Sequence, residues 1–388
     1  MEGWKEYLLE DVGKITTGKT PRTAVKENFD GTIPFVTPAD INTPYKYITE
    51  TGRYLTEEGL NSIINNSIEK GSICVSCIGN IGYTGIVQKK CASNQQINSI
   101  TVNKEHNRDF IYYAIKNLWS YFKNYEGQST TVSILNKGQF AKIPIKCPPL
   151  PVQQKIAFIL SSLDDKIECN RRINDNLEQQ AQALFKSWLS ECHEEITIGQ
   201  LSHNILDYKK CTFPQVVLIN SSDVTEGHFE HHNYTENKNL KGHFKKRFKK
   251  GDILYSQVRP RNRHWGYCTF DADAYLASTQ LMVIRNREDV ISSILLYQYL
   301  IDDNVWLEFT NKTETRSGTF PQGNYEEISS IKVPFGADMT NITIILNNLY
   351  GKIFNNEKQN RILSQLRDTL LPRLMSGELE IQDIEESL

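Results

Sequence analysis

The chain has 388 residues, 39% of them hydrophobic and 23% charged, which suits an ordinary soluble globular protein with two or three domains, each able to bury its own core. A formal net charge of −2 excludes a globally basic surface, so any nucleic-acid contact has to come from local patches. No apolar run approaches the ~18 residues of a membrane helix, MEGWKEYLLEDVGK is no signal peptide, and eight dispersed cysteines read as reduced thiols, so a cytoplasmic protein with no membrane partner is expected.

Residues 1–147 read as a first globule. Its apolar runs at 73–75 and 97–102 have strand length and composition, and 110–121 carries helical spacing. Residues 148–190 read as a long helix with alternating 4-3 spacing at Ile156, Leu160, Leu163, Ile167, Asn170, Asn174, Leu177, Ala181, Leu184 and Trp188, the pattern of a coiled-coil seam. Residues 191–335 form a second globule, with strand-like runs at 253–255 and 281–284 and a helical stretch at 290–300. A second helix, 336–377, repeats the seam at Ile342, Leu346, Leu349, Ile353, Asn356, Asn360, Leu363, Arg367, Leu370 and Leu374. The acidic end, 378–388, reads as a solvated tail.

A shift of 186 residues superposes the two helices without a gap, and Lys70-Gly71-Ser72-Ile73 echoes Lys250-Gly251-Asp252-Ile253 at a shift of 180. The chain is therefore an internal repeat with pseudo-two-fold character: α+β, two similar globules separated by two long helices. An antiparallel pairing of the helices sets Asn170 against Asn360 and Asn174 against Asn356, which penalises slipped registers. The alternative is two amphipathic helices, each lying on its own globule with the asparagines on a wet edge. At about 1.5 Å per residue the first seam is roughly 50 Å long, or about fifteen base pairs, so two globules on such a spacer suit a DNA target with two half-sites.

No catalytic set emerges. There is no Gly-rich loop followed by Lys-Ser/Thr for nucleotide phosphates, and Cys147-Pro148-Pro149-Leu150 is not an Asn/Asp-Pro-Pro-aromatic methyltransferase tetrapeptide. Cys74 and Cys77 lack a second ligand pair for zinc and read as structural thiols, while His228, His231 and His232 read as solvent-exposed, so no metal site is expected.

DNA contact has better candidates. The run KGHFKKRFKK at 241–250 offers Lys245, Lys246 and Arg247 to phosphates, and Gln257, Arg259, Arg261, Asn262 and Arg263 follow it with the side chains that read guanine and adenine. A solvated basic loop is the other reading of that segment. Thr313, Arg316, Ser317, Thr319 and Gln322 form a second polar loop. The first globule offers Thr17, Lys19, Thr20 and Arg22 in an early turn, Asn80 in a Gly-rich hairpin, and Asn94, Gln95 and Gln96. Gln128, Ser129, Thr130 and Thr131 complete its set; all of these suit bases, phosphates or ordinary turns equally. Phe158, Ile159, Phe185, Ile345 and Leu371, outside the seam, read as apolar area for a protein partner to cover, with packing against the chain's own domains as the alternative.

Several phrases, in this order, resemble the specificity subunits of type I restriction–modification systems: Trp4 to Val12, Thr17-Gly18-Lys19-Thr20-Pro21, Gly71-Ser72-Ile73 leading to Gly79-Asn80-Ile81-Gly82, Pro148-Pro149-Leu150-Pro151-Val152-Gln153-Gln154, Leu184-Phe185-Lys186, and Leu370-Leu371-Pro372-Arg373-Leu374-Met375-Ser376-Gly377. The second half departs from the pattern, with Leu201-Ser202-His203-Asn204 lacking the Gly-x-x-Pro turn and Pro334-Phe335-Gly336 replacing the helix opener. The resemblance implies a non-catalytic subunit with two target-recognition domains. They would read double-stranded DNA with a bipartite, asymmetric site, while the helices set the gap and dock two methyltransferase subunits. Restriction/translocase subunits would join in the full complex, and S-adenosylmethionine, ATP and magnesium would sit on partners and not on this chain. Outside that reading stand a solitary specificity protein of another phage-defence methyltransferase system and a coiled-coil scaffold that binds protein.

Overall fold

The computed structural model describes residues 3–43, 45–127, 132–240, 242–314 and 322–379. The chain divides into two compact units, Met1–Arg172 with Glu357–Leu388, and Ile173–Asn356. Compactness thus groups each globule with half of each long helix, where hydropathy suggested five consecutive segments.

In unit 1 the strands are β1 (Lys5–Leu8), β2 (Gly13–Thr17), β3 (Phe29–Val36), β4 (Tyr47–Ile48), β5 (Tyr54–Leu55), β6 (Ile73–Ser76), β7 (Thr84–Val87), β8 (Ala92–Ser93), β9 (Ile97–Val102) and β10 (Pro144–Cys147). They form a sheet in the order β2-β9-β6-β7-β4, a second one β5-β3-β8, and the pair β1-β10. The main sheet is antiparallel except for the short parallel edge β4·β7. Its β6 and the first part of β9 are buried on both faces, with Ser76, Asn98 and Ser99 as buried polar positions among the apolar ones.

Unit 2 holds β11 (Glu194–Thr197), β12 (Ser202–Asn204), β13 (Gln215–Ile219), β14 (Val224–Thr225), β15 (His228–Phe229), β16 (Tyr234–Glu236), β17 (Phe244–Lys246), β18 (Ile253–Ser256), β19 (Trp265–Tyr267), β20 (Tyr275–Ser278), β21 (Leu281–Asn286) and β22 (Lys332–Phe335). The sheets are β12-β21-β18-β19, β16-β13-β20-β17, β14-β15 and β11-β22. Taken separately, the units share a plan: β2-β9-β6-β7 corresponds to β12-β21-β18-β19, the parallel pair β3·β8 to β13·β20, and β1-β10 to β11-β22.

In each unit one helix backs the main sheet. Arg108–Asn117 is capped by the Asn107 side chain, which accepts from Phe110 N, and Ser293–Ile301 by Ser292, which accepts from Leu295 N. The first long helix, Leu150–Leu189, starts with proline in its first turn, where a missing N–H costs nothing. Gln153 fastens that start: its side chain, 3% exposed, donates to Pro148 O and accepts from Asn107 N. The second long helix is Thr340–Met375.

The ends of the long helices belong to globule cores. Ile156, Ala157, Leu160, Leu371, Leu374 and Met375 pack into the unit 1 core, and Ala181, Phe185, Trp188, Ile342, Leu346, Tyr350 and Ile353 into that of unit 2. The middle is helix on helix and antiparallel. In unit 1 Asn170 Nδ2 donates to Asn360 Oδ1 at 2.8 Å, and in unit 2 Asn356 Nδ2 donates to Asn174 Oδ1 at 2.8 Å.

Three expectations are corrected here. Leu184 is 39% exposed, so it is not a seam residue; near the helix end Ala181, Phe185 and Trp188 turn inward because the helix there covers a sheet-backing helix as well as its partner. Phe185 (3% exposed) and Leu371 (6%) are buried in cores for the same reason and offer no outer surface, whereas Phe158 is 76% exposed and Ile345 40%. His231 and His232 are half-buried, not solvated. His231 pairs with Asp223 at 3.4 Å, and His232 Nδ1 meets Tyr275 Oη at 2.8 Å among Phe229 and Phe270, leaving His228 as the exposed one of the three.

Candidate nucleic-acid interface

The antiparallel order of β2, β9, β6 and β7 brings the end of β2, the β6–β7 hairpin and the start of β9 to one end of the unit 1 sheet; Thr17 stands opposite Asn98, and Ser76 opposite Ile97. Backbone bonds knit these connections: Gly18 N donates to Ile97 O, Cys77 N to Gln96 O and Gly79 N to Ser133 O. Gly18 has no alternative, since a Cβ there would lie 2.0 Å from Asn94 O and 2.2 Å from Ser93 Oγ.

The first-globule candidates, scattered over 80 residues of sequence, therefore meet on one face, and their bonds divide them. Thr17 Oγ1 donates to Asn98 Oδ1 at 2.7 Å, Asn94 Nδ2 donates to Gln96 Oε1, and Gln96 N donates back to Asn94 Oδ1; these three side chains build the face. Thr20 Oγ1 donates to Gln95 Oε1 at 2.8 Å, tying the early turn to the 94–96 segment. Lys19, Arg22, Asn80 and Gln95 are exposed. Gln128, Ser129, Thr130 and Thr131 lie outside the described residues.

Unit 2 builds the same end of its sheet by the same bonds. Gln257 N donates to Gln280 O as Cys77 N does to Gln96 O, and a bridge between Val258 and Gln322 repeats the one between Ile78 and Ile134. The loop after β18 is thus the counterpart of the Gly-rich hairpin. It contains a single 3-10 turn, Pro260–Asn262, flanked by Arg259 and Arg263 with φ of 50° and 52°, conformations uncommon outside glycine. Trp306 Nε1 donates to Pro260 O at 2.9 Å and holds the turn. Arg263 lies 4.2 Å over the Trp306 ring and bonds Asp303 at 2.9 Å, and Arg261 bonds Glu314 at 2.5 Å. Arg259, Arg261, Asn262 and Gln322 are exposed, while Gln257 and Arg263 are half-buried.

The basic run is less uniform than its composition. Lys245 is exposed, but Lys246 is 4% exposed and its ammonium donates to Leu281 O at 2.6 Å, so burial and then Lys245 lower its pKa. Arg247 is half-buried and donates to Asp273 O. Lys246 and Arg247 are thus spent on backbone carbonyls, Lys246 on the start of β21 and Arg247 on the segment before β20. Thr313, 1% exposed, bonds Phe309 O within its own helix, so it is a core residue; Arg316, Ser317 and Thr319 lie outside the described residues. Cys74 and Cys77 point into different core clusters, and burial pushes the Cys77 thiol up to about 12.

Trp119 and Lys123 were missed in the sequence. Trp119, 42% exposed, packs edge-on to Tyr83 beside the hairpin, with the Lys123 ammonium 4.3 Å from its ring. Their four-residue spacing on one helix face was the available signal.

Residues 1–179 match the family model for a type I restriction modification DNA specificity domain. The type I restriction enzyme MjaIX specificity subunit of Methanocaldococcus jannaschii is 26% identical, over 98% of this chain and 94% of its own length. The HindI specificity subunit of Haemophilus influenzae is 35% identical over 46% of this chain and 39% of its own. In fold, the chain resembles the crystal structure of a type I restriction-modification system S subunit from M. genitalium, with a TM-score of 0.53 at 16% identity and 96% of each chain covered.

Proposed function

We infer that this chain is the DNA-sequence specificity subunit of a type I restriction–modification complex. The observation that carries the reading is the recurrence of one loop set at the same sheet end in both units, with different exposed side chains. Unit 1 presents Lys19, Arg22, Asn80 and Gln95; unit 2 presents Arg259, Arg261, Asn262 and Gln322. One scaffold with two sets of hydrogen-bonding side chains is what a protein needs to read two unlike half-sites, because the strands position and the loops discriminate. The face offers donors and acceptors for base edges and local cations for phosphates. The chain carries no methylation or cleavage chemistry in this reading; two methyltransferase subunits, and restriction/translocase subunits in the full complex, supply it with their S-adenosylmethionine, ATP and magnesium. The long helices set the gap between half-sites, and their outer side chains such as Phe158 and Ile345 dock those partners.

The salt dependence of duplex binding tests the DNA reading against that of a protein-binding scaffold. With four or more phosphates neutralised, log affinity should fall with log salt at a slope of about −4 or steeper. A flat response, with binding carried only by a protein partner, favours the scaffold.

A further inference from the structure

The two copies of the fold differ at one buried site of the helix pair. In unit 1 Asp164 and Arg367 lie six residues before Asn170 and seven after Asn360; their side chains are 2% and 5% exposed, with carboxylate and guanidinium 2.5 Å apart. Tyr113 Oη donates to the other Asp164 oxygen, and Arg367 Nε donates to Asp368. The 186-residue repeat puts Tyr350 in the place of Asp164 and Ala181 in that of Arg367. In unit 2 both are buried in one apolar core, where Gln298 Nε2 donates to Tyr350 Oη at 2.8 Å. One copy holds a buried ion pair and the other is neutral.

We propose that Asp164 and Arg367 select the partner of each long helix, so that the first pairs with the second and rejects a second copy of itself. The central seam cannot make that choice. A first helix set antiparallel against its own copy still matches Asn170 with Asn174, and a second helix still matches Asn356 with Asn360. The first arrangement, however, faces Asp164 with Ala181 twice over, and the second faces Arg367 with Tyr350. A matched buried pair contributes little over apolar packing, but a buried charge without its partner is strongly unfavourable, so the pair acts through what it forbids. The other charges near the pair do not replace the lost contact. Lys46 is committed to Asp109 at 2.7 Å, Lys116 has its pKa pushed down to about 8 by burial and then by Arg367, and Asp368 stays beside Arg367 in every arrangement. Each orphaned Asp164 should disfavour a homomeric pair of first helices on the order of 100-fold, and Arg367, which keeps Asp368, should disfavour a pair of second helices less.

The test starts from the folded full-length chain. A protease site inserted between Glu191 and Cys192, after the first long helix, allows one cut in the assembled protein. Native mass spectrometry then counts which fragments remain together after prolonged incubation. The wild-type fragments should stay as a mixed pair, with homomeric pairs below roughly 1%. Asp164→Ala with Arg367→Ala should raise homomeric pairs at least about 10-fold, and the exchanged Asp164→Arg with Arg367→Asp should restore the mixed pair alone. Should the alanine variant not fold, Asp164→Leu with Arg367→Met replaces it. Abundant homomeric pairs in the wild type, or a neutral variant as strictly mixed as the wild type, overturns the proposal.

Discussion

Arg261 and Arg263 are already engaged with Glu314 and Asp303, so in the proposed reading DNA would have to displace a carboxylate before it gained a guanidinium. Such partners keep the loop shaped and, in that reading, would compete with indiscriminate phosphate binding. Glu314→Gln is therefore expected to raise affinity for random-sequence duplex about 3-fold or more at low salt, measured by fluorescence anisotropy; unchanged affinity would place Arg261 outside the DNA contact. Deeper in unit 1, Lys46 pairs with Asp109 and donates to Ser161 Oγ at 2.7 Å. Burial raises the Asp109 pKa, but Lys46 and then Arg108 outweigh it and leave it below its ordinary value. A depressed folded-state pKa means that this contribution to stability is present above the unfolded value and is lost as pH falls through the folded one, below about pH 4. Urea midpoints at about pH 6 and pH 3 should show a smaller acid loss for Asp109→Asn than for the wild type. Equal losses would mean that the pair is not coupled to folding. At this scale composition named the polar residues of the face but could not sort them. Lys245 and Lys246 are adjacent in sequence, yet one is exposed and the other spends its ammonium on a buried carbonyl, a distinction set by which way a strand points.

The helix pair shows what periodicity can and cannot convey. The partners of Asn170 and Asn174 follow from counting, because the seam is symmetric about its two asparagines. Leu184 escaped the count: heptad spacing describes a helix facing another helix, and near its end this one is shaped by the Tyr299 and Trp188 cluster around Phe185. The strand runs at 97–102 and 253–255 were legible for a simpler reason, since β-branched and aromatic residues dominate them over strand length, although the first also buries Asn98 and Ser99. The short strands β4, β5, β14 and β15, two residues each, have no length over which a pattern can form. Among the described residues Asn170 Oδ1 is a buried acceptor without a hydrogen-bond donor, a sign that the asparagine layer is held at a cost in stability. Replacing Asn170 and Asn360 together by leucine is expected to raise the melting temperature by a few degrees. A lower melting temperature would show that the layer stabilises the helices instead.

For the whole chain, the proposed reading makes the two halves separable in function. Changes to Arg259, Arg261 and Asn262 should relax one half of the recognised site and leave the other as it was, and Lys19, Asn80 and Gln95 should govern the other half alone. The matching bonds from Gln257 and Cys77 to the segment before the next strand are why: each face is assembled inside its own unit. The duplication is plain in the sequence of the helices, where the seam restrains side chains, and faint in the globules, where loops at equivalent places carry unrelated residues. The most direct measurement is a genome-wide map of methylated bases in cells expressing a type I methyltransferase subunit, with and without this chain. A split motif, two short specific halves around a fixed gap, should be present only when the chain is, and deletion of one heptad from each long helix should change the gap and spare both halves. An identical methylation pattern with and without the chain would contradict the assignment.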